Sequence, residues 1–253
     1  MYMRLVRIKA KRDALSSLVA FYETKVISTL ERVHGCRYAG LMQSTHHNDE
    51  GLSLTLWDVQ ADAEAYQRSG VFASLLNESK PFLLESSEYQ IRLSKDLTLE
   101  YVAVPEEPVV SAMLVSAGSS ANARRNQTSG ARWLRTVALK IRPGKMDEFK
   151  QLYIDEVIPM LREVKRCRYI YLTENPEKPN ELISITSWER EQDALRYEQN
   201  GLFQKILQSQ EHLLSDLYRW KREEGKDRVD SVTTSEDVNV EHYVVLAGRV
   251  FNQ

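Results

Sequence analysis

Residues 36–38 read Cys36-Arg37-Tyr38, and the same triplet returns 131 positions later as Cys167-Arg168-Tyr169. Held at that offset without a gap, the chain keeps matching itself. Arg4 pairs with Arg135, Val6 with Val137, Tyr22 with Tyr153, Val26-Ile27 with Val157-Ile158, and Trp57 with Trp188. Asp62-Ala63 pairs with Asp193-Ala194, Tyr66 with Tyr197, Gly70 with Gly201 and Phe72 with Phe203. About 23 of roughly 80 aligned positions are identical, where average residue usage gives about 5 by chance. The chain is a duplication. A shift of one residue carries the match into the tails, where Ala117-Gly118 and Ala247-Gly248 each follow an apolar run.

Between the copies, residues 119–130 are rich in Ser, Ala, Asn and Arg, the composition of a solvated connection. The expected division is a first domain over 1–118, a linker over 119–131 and a second domain over 132–253. A second stretch, Glu223 to Asp237, reads as a loop before a last strand.

Each copy opens on a short β-branched and apolar run, Leu5 to Ala10 and Leu134 to Ile141, which reads as a strand. A helical period follows at Leu15, Leu18, Tyr22, Val26 and Leu30, and again at Met146, Phe149, Tyr153, Val157 and Leu161. Pro143-Gly144 marks the turn before the second of these helices, and Pro159 is expected to kink it. Two strands come next, Arg37–Gln43 with Leu52–Trp57 and Arg168–Glu174 with Leu182–Trp188. Helical stretches then begin at Asp62 and Asp193, broken by Gly70 and Gly201, and closing strands are expected at Tyr89–Leu93 and Leu217–Trp220. The order is βαββαβ, twice, which is the ferredoxin-like arrangement. Its sheet carries helices on one face only, so the other must be covered. Because the second copy is already attached, the expected architecture is α+β, with two tandem ferredoxin-like repeats packing sheet on sheet as an intramolecular dimeric α/β barrel. Further pairing of whole chains is left open.

Side chains alternate along the third strand of each copy. Leu52, Leu54 and Leu56 face one way, while Ser53, Thr55 and Trp57 face the other; Ile183 and Ile185 then oppose Ser184, Thr186 and Trp188. The polar and Trp face is the one kept identical between the copies. Trp offers a large apolar body with one N–H donor, which suits both a packed core and the wall of a pocket for a planar ligand. Tyr66 and Tyr197 stand nine residues after their tryptophans and could turn a phenol toward the same cleft.

A βαββαβ unit with a Trp closing its third strand, then a helix opening with Ala and an aromatic before a Gly-x-Phe segment, resembles the antibiotic biosynthesis monooxygenase family. The matching residues are Trp57-Asp58, Asp62-Ala63, Tyr66 and Gly70-Val71-Phe72, and again Trp188-Glu189, Asp193-Ala194, Tyr197 and Gly201-Leu202-Phe203. The resemblance implies a dimeric α/β barrel. It also implies oxidation of an electron-rich phenol or quinol by O2 without metal or flavin, so no cofactor is expected and the partners are a small aromatic molecule and O2. By that analogy Trp57 and Trp188 donate to the substrate oxygen, with Tyr66 and Tyr197 as second donors or proton carriers. Ser53, Thr55, Ser184 and Thr186 would line the pocket. A related branch degrades heme with an Asn on the first strand, and here Leu5 to Lys9 and Leu134 to Lys140 hold no Asn, while Tyr66 and Tyr197 occupy the expected His place. Heme chemistry is disfavoured, and a non-catalytic small-molecule-binding or stress-associated protein of the same fold is the main alternative.

Composition excludes other classes. Lys and Arg total 34 against 36 Asp and Glu, so no general positive field gathers nucleic acid. No stretch approaches the roughly 20 apolar residues of a membrane span, the N-terminus has no signal-peptide core, and a cytoplasmic location is expected. Two cysteines make neither a disulfide framework nor a zinc site. Cys36 and Cys167 read as small buried thiols. His46-His47-Asn48-Asp49-Glu50 holds ligand residue types but reads as a solvated loop, since the second copy has Glu177-Lys178-Pro179-Asn180-Glu181 there. Arg37 and Arg168, repeated at strand starts, are candidates for a substrate carboxylate, with a surface ion pair as the plainer reading. No glycine-rich phosphate loop, serine nucleophile motif or zinc signature is present.

Overall fold

The computed structural model describes residues 1–84, 89–93, 99–103, 108–120, 132–215 and 238–251. The first copy runs β1 (Tyr2–Lys9), α1 (Leu15–Phe21), α2 (Ser28–Leu30), β2 (Cys36–Ser44), β3 (Glu50–Trp57), α3 (Gln60–Arg68) and α4 (Val71–Ser79). Three further strands follow: β4 (Tyr89–Leu93), β5 (Leu99–Ala103) and β6 (Val109–Ser120). The second copy runs β7 (Trp133–Lys140), α5 (Met146–Leu152), α6 (Ile158–Glu163), β8 (Cys167–Glu174), β9 (Glu181–Trp188), α7 (Glu191–Gln199), α8 (Leu202–Gln210) and β10 (Val238–Val250).

Eight antiparallel strands close into one barrel in the order β1-β3-β2-β10-β7-β9-β8-β6, with β6 also meeting β1. The helices lie outside it. Inside, Met3, Leu5, Leu52, Leu54 and Met113 meet Leu134, Ile185 and Tyr243, so the apolar face of each third strand is covered by the other copy. Each helical layer packs on the outer face of its own sheet, Trp57 and Tyr66 in one core and Trp188 and Tyr197 in the other.

The closing strands differ from expectation. Tyr89–Leu93 is a strand, but it pairs with β5 in a separate two-stranded sheet; Leu217–Trp220 lies outside the described residues. The barrel is closed instead by β6 and β10, of 12 and 13 residues. Their length has a cause. The start of β6 bonds to β1 of its own copy and its end to β8 of the other, while β10 bonds first to β7 and then to β2. Each carries a register shift where it changes neighbour, between Val115 and Ala117 or between Val245 and Ala247, as a bulge that bends a strand does. Gly118 and Gly248 follow those shifts because a Cβ there would lie 2.9 Å from the Tyr171 ring or 2.7 Å from the Tyr38 hydroxyl. β6 also runs to Ser120, past the expected domain end at 118.

Both first helices pass through a π turn, Tyr22–Ile27 in one copy and Tyr153–Val157 in the other. Pro159 opens α6 just after the second of these, but Ser28 holds the same place in the first copy, so proline is not the cause. The turn advances Tyr22 and Tyr153 onto the sheet. Gly70 and Gly201 break the second helices at φ 79° and 82°, a left-handed conformation that glycine adopts without the Cβ penalty.

Candidate functional site

The register of β1 on β3 sets Arg4 opposite Thr55 and Val6 opposite Ser53, and that of β7 on β9 sets Arg135 opposite Thr186 and Val137 opposite Ser184. These residues share the outer face with the tryptophans, under the helices. Trp57 is fully buried and its Nε1 donates to Thr55 Oγ1 at 2.9 Å; Trp188 does the same to Thr186 at 3.0 Å. Tyr66 lies against Trp57 with ring centroids 5.2 Å apart, and Tyr197 against Trp188 at 5.3 Å. An arginine completes each stack. The guanidinium of Arg4 sits 5.9 Å from the Tyr66 ring and 4.4 Å from the Phe72 ring, while that of Arg135 sits 5.6 Å from Tyr197 and 4.1 Å from Phe203. Such cation–π contacts are worth about 0.5–2 kcal/mol each. Ser53 and Ser184 are taken by the π-turn tyrosines, Tyr22 at 2.8 Å and Tyr153 at 2.7 Å.

In the first copy the helices and sheet border a half-open cavity of about 80 Å³. Its polar wall is Arg4, Tyr22, Ser53, Thr55, Tyr66 and Ser79, whose hydroxyl is spent on the Leu76 carbonyl, and the rest is apolar, with Phe21, Val26, Phe72, Leu75 and Leu76. Trp57 is not on that wall. Its single N–H has an acceptor in Thr55, so it braces Tyr66 and Thr55 from behind. Burial raises the Tyr66 phenol above its ordinary value, only partly offset by the Arg4 charge, so it stands protonated as a donor at neutral pH.

Arg37 and Arg168 lie elsewhere. Arg37 forks onto Asp58, Nε to Oδ1 at 2.7 Å and Nη2 to Oδ2 at 2.5 Å, and Arg168 pairs with Glu189. Arg37 borders a different space, an apolar cavity of about 180 Å³ inside the barrel beside Tyr38, Tyr169 and Tyr171. Cys36 and Cys167 are buried free thiols in separate cores, both pushed up to about 12 by burial. Among the described residues no group of three or more His, Cys, Asp or Glu gathers as a metal set, and no helix is long and apolar enough to cross a membrane.

The two copies part company at the arginine. Arg135 is 2% exposed, its Nε donates to Glu198 Oε1, and His242 Nε2 lies 2.9 Å from the same oxygen. The corresponding positions of the first copy hold Gln67 and Ala112, the latter paired with Arg4 across β6 as His242 is paired with Arg135 across β10. Arg4 is 4% exposed, and neither Nη1 nor Nη2 has a hydrogen-bond partner among the described residues. In Arg135 only Nη2 is left so. Burial pulls the Arg4 guanidinium below its ordinary value, but an arginine keeps its proton in proteins.

Burial alone would raise the Glu198 carboxyl, yet the hydrogen bond to His242 and the Arg135 charge outweigh it and hold the group below the usual carboxylate range. A depressed folded value means that the stabilisation is complete above the ordinary value of about 4.3 and is lost as pH falls through the folded one. The urea midpoint of the wild type is therefore expected to drop more steeply between about pH 5 and pH 3 than that of Glu198→Gln. Parallel profiles would contradict this.

Sequence reading did not single out Arg4, Arg135, Glu198 or His242 for the site. Arg4 and Arg135 carried a signal, as identical residues facing the same way as the tryptophans; the Gln67 and Glu198 difference was visible only as a mismatch between copies.

A barrel of two fused ferredoxin-like units, each with a Trp–Tyr–Arg stack between sheet and helices, defines the class. The family model of antibiotic biosynthesis monooxygenases matches residues 1–76 and again 134–209, and the chain belongs to that family. Solved structures agree on the fold. A candidate monooxygenase of Fusobacterium nucleatum superposes with a TM-score of 0.69 at 8% identity, covering 98% of this chain and 94% of the other. One from Lactobacillus acidophilus gives 0.65 at 7%, with 98% and 95% covered. An anthrone oxidase-like protein gives 0.54 at 9%, with 100% and 94% covered. No curated protein matches the chain.

Proposed function

We propose that the protein is a cofactor-independent monooxygenase that oxidises a small aromatic, quinol-like molecule with O2 in the cavity of its first copy. The observation that carries this reading is the buried Arg4 guanidinium in the wall of a largely apolar cavity, stacked on Phe72 and Tyr66, with both terminal nitrogens lacking a hydrogen-bond partner among the described residues. A buried charge without a partner is costly, and a substrate oxyanion supplies that partner. Held by Arg4 and Tyr66, a phenol or quinol loses its proton more readily, and its electron-rich carbon meets O2 with water excluded. One oxygen atom then forms the new carbon–oxygen bond and the other leaves as water, the four electrons coming from the substrate. In this reading Trp57 positions Tyr66 and Thr55 and does not touch substrate. Trp188, Thr186, Ser184 and Tyr197 form the twin stack of the second copy, with Glu198 already in the oxyanion's place.

A second reading is favoured by the wall itself, where no carboxylate or imidazole stands among the described residues to take the proton. On it, the same cavity binds its ligand without chemistry. Oxygen consumption by chelator-treated protein, with a series of single-ring hydroquinones, separates the two. Uptake with at least one member supports the enzyme; none with any member moves the reading to a binding protein.

A further inference from the structure

We propose that the chain binds one small apolar oxyanion, on the first copy only, with Arg4 as its anchor, and that the second copy is closed to such ligands because Glu198 is a built-in replacement for the anion. This concerns recognition and holds whether or not oxygen chemistry follows.

The two copies act as each other's control. They share the strand register, the tryptophan bonded to threonine, the tyrosine and the phenylalanine under the arginine. In the second copy a carboxylate oxygen lies on Arg135, itself held by His242. In the first, position 67 is an exposed Gln, so the carboxylate is missing from the sequence, and both Arg4 terminal nitrogens are left without a hydrogen-bond partner among the described residues. A planar guanidinium with two free terminal donors matches a carboxylate or phenolate oxygen, and such charge-assisted bonds are the strong ones.

The remainder of the ligand is fixed by the other walls. Phe21, Val26, Leu75 and Leu76 offer no polar partner, so the body is apolar. The cavity of about 80 Å³ is smaller than the roughly 150 Å³ known to hold benzene in an engineered core. A short chain fits that space as it stands and a single ring only where the helices give way, so a fused polycycle is excluded.

Isothermal titration with benzoate and with 4-nitrophenolate, and with neutral benzamide as control, tests this. The wild type is expected to bind one equivalent of at least one of the two anions, at least about tenfold more tightly than benzamide. Binding by both anions makes the site one for oxyanions in general, and binding by one alone names the headgroup. Arg4→Gln and Gln67→Glu, each checked for a native melting transition, are expected to weaken it at least about tenfold, the second by installing the counter-ion of the other copy. Two equivalents per chain, no binding of either anion, or wild-type affinity in either variant overturns the proposal.

Discussion

Arg135→Met is expected to lower the unfolding free energy by about 3 kcal/mol, and Arg4→Met to leave it unchanged or raise it by up to about 2 kcal/mol. The same substitution at twin positions thus has opposite consequences. Losing Arg135 strands the half-buried Glu198 carboxylate, with His242 as its remaining partner, and breaking such a pair from one side is among the costlier single changes. Losing Arg4 removes a buried charge whose terminal nitrogens have no hydrogen-bond partner among the described residues. What is forfeited is its packing over Phe72, worth about 1 kcal/mol, set against relief of an uncompensated charge. Urea unfolding with shared slopes measures both. Equal losses at the two positions would mean that Arg4 has a partner equivalent to Glu198.

If the monooxygenase reading holds, Tyr66→Phe is expected to reduce oxygen uptake by about a hundredfold, whereas Tyr197→Phe leaves the rate unchanged. Both tyrosines stack on a tryptophan at nearly the same distance, so packing does not separate them. What does is the neighbourhood, since Tyr66 lines a cavity beside an unpaired arginine and Tyr197 adjoins one already bonded to Glu198. Steady-state rates on any substrate that turns over decide it. Equal loss in the two variants would show that both copies work.

Much of this was legible in the sequence because duplication supplies an internal comparison. The offset of 131 brings the two strands and the tryptophan of each copy into line, and strand alternation then separates Leu52 and Leu54, which fill the barrel, from Ser53, Thr55 and Trp57 under the helices. The closing strands were less legible. Tyr89–Leu93 has the right composition and follows α4, but composition does not say which edge a strand will find. Closure needed strands long enough to leave one copy and bond to the other, and only the repeated Ala117-Gly118 and Ala247-Gly248 marked them. The site was half legible for a similar reason. Arg4 reads as one more charge in a charged first strand until β3 is laid beside it, and the Glu198 contact joins positions 63 residues apart through tertiary packing alone. Trp57 was visible as a conspicuous side chain, yet its one donor is spent two residues away on Thr55.

The most direct test of the central claim, that the first copy holds the ligand site, is a crystal structure of the protein soaked with 4-hydroxybenzoate. Density is expected between sheet and helices of the first copy alone, with an anionic oxygen within hydrogen-bond distance of the Arg4 terminal nitrogens. Density beside Arg135, or only inside the barrel against Tyr38 and Tyr171, would contradict the account.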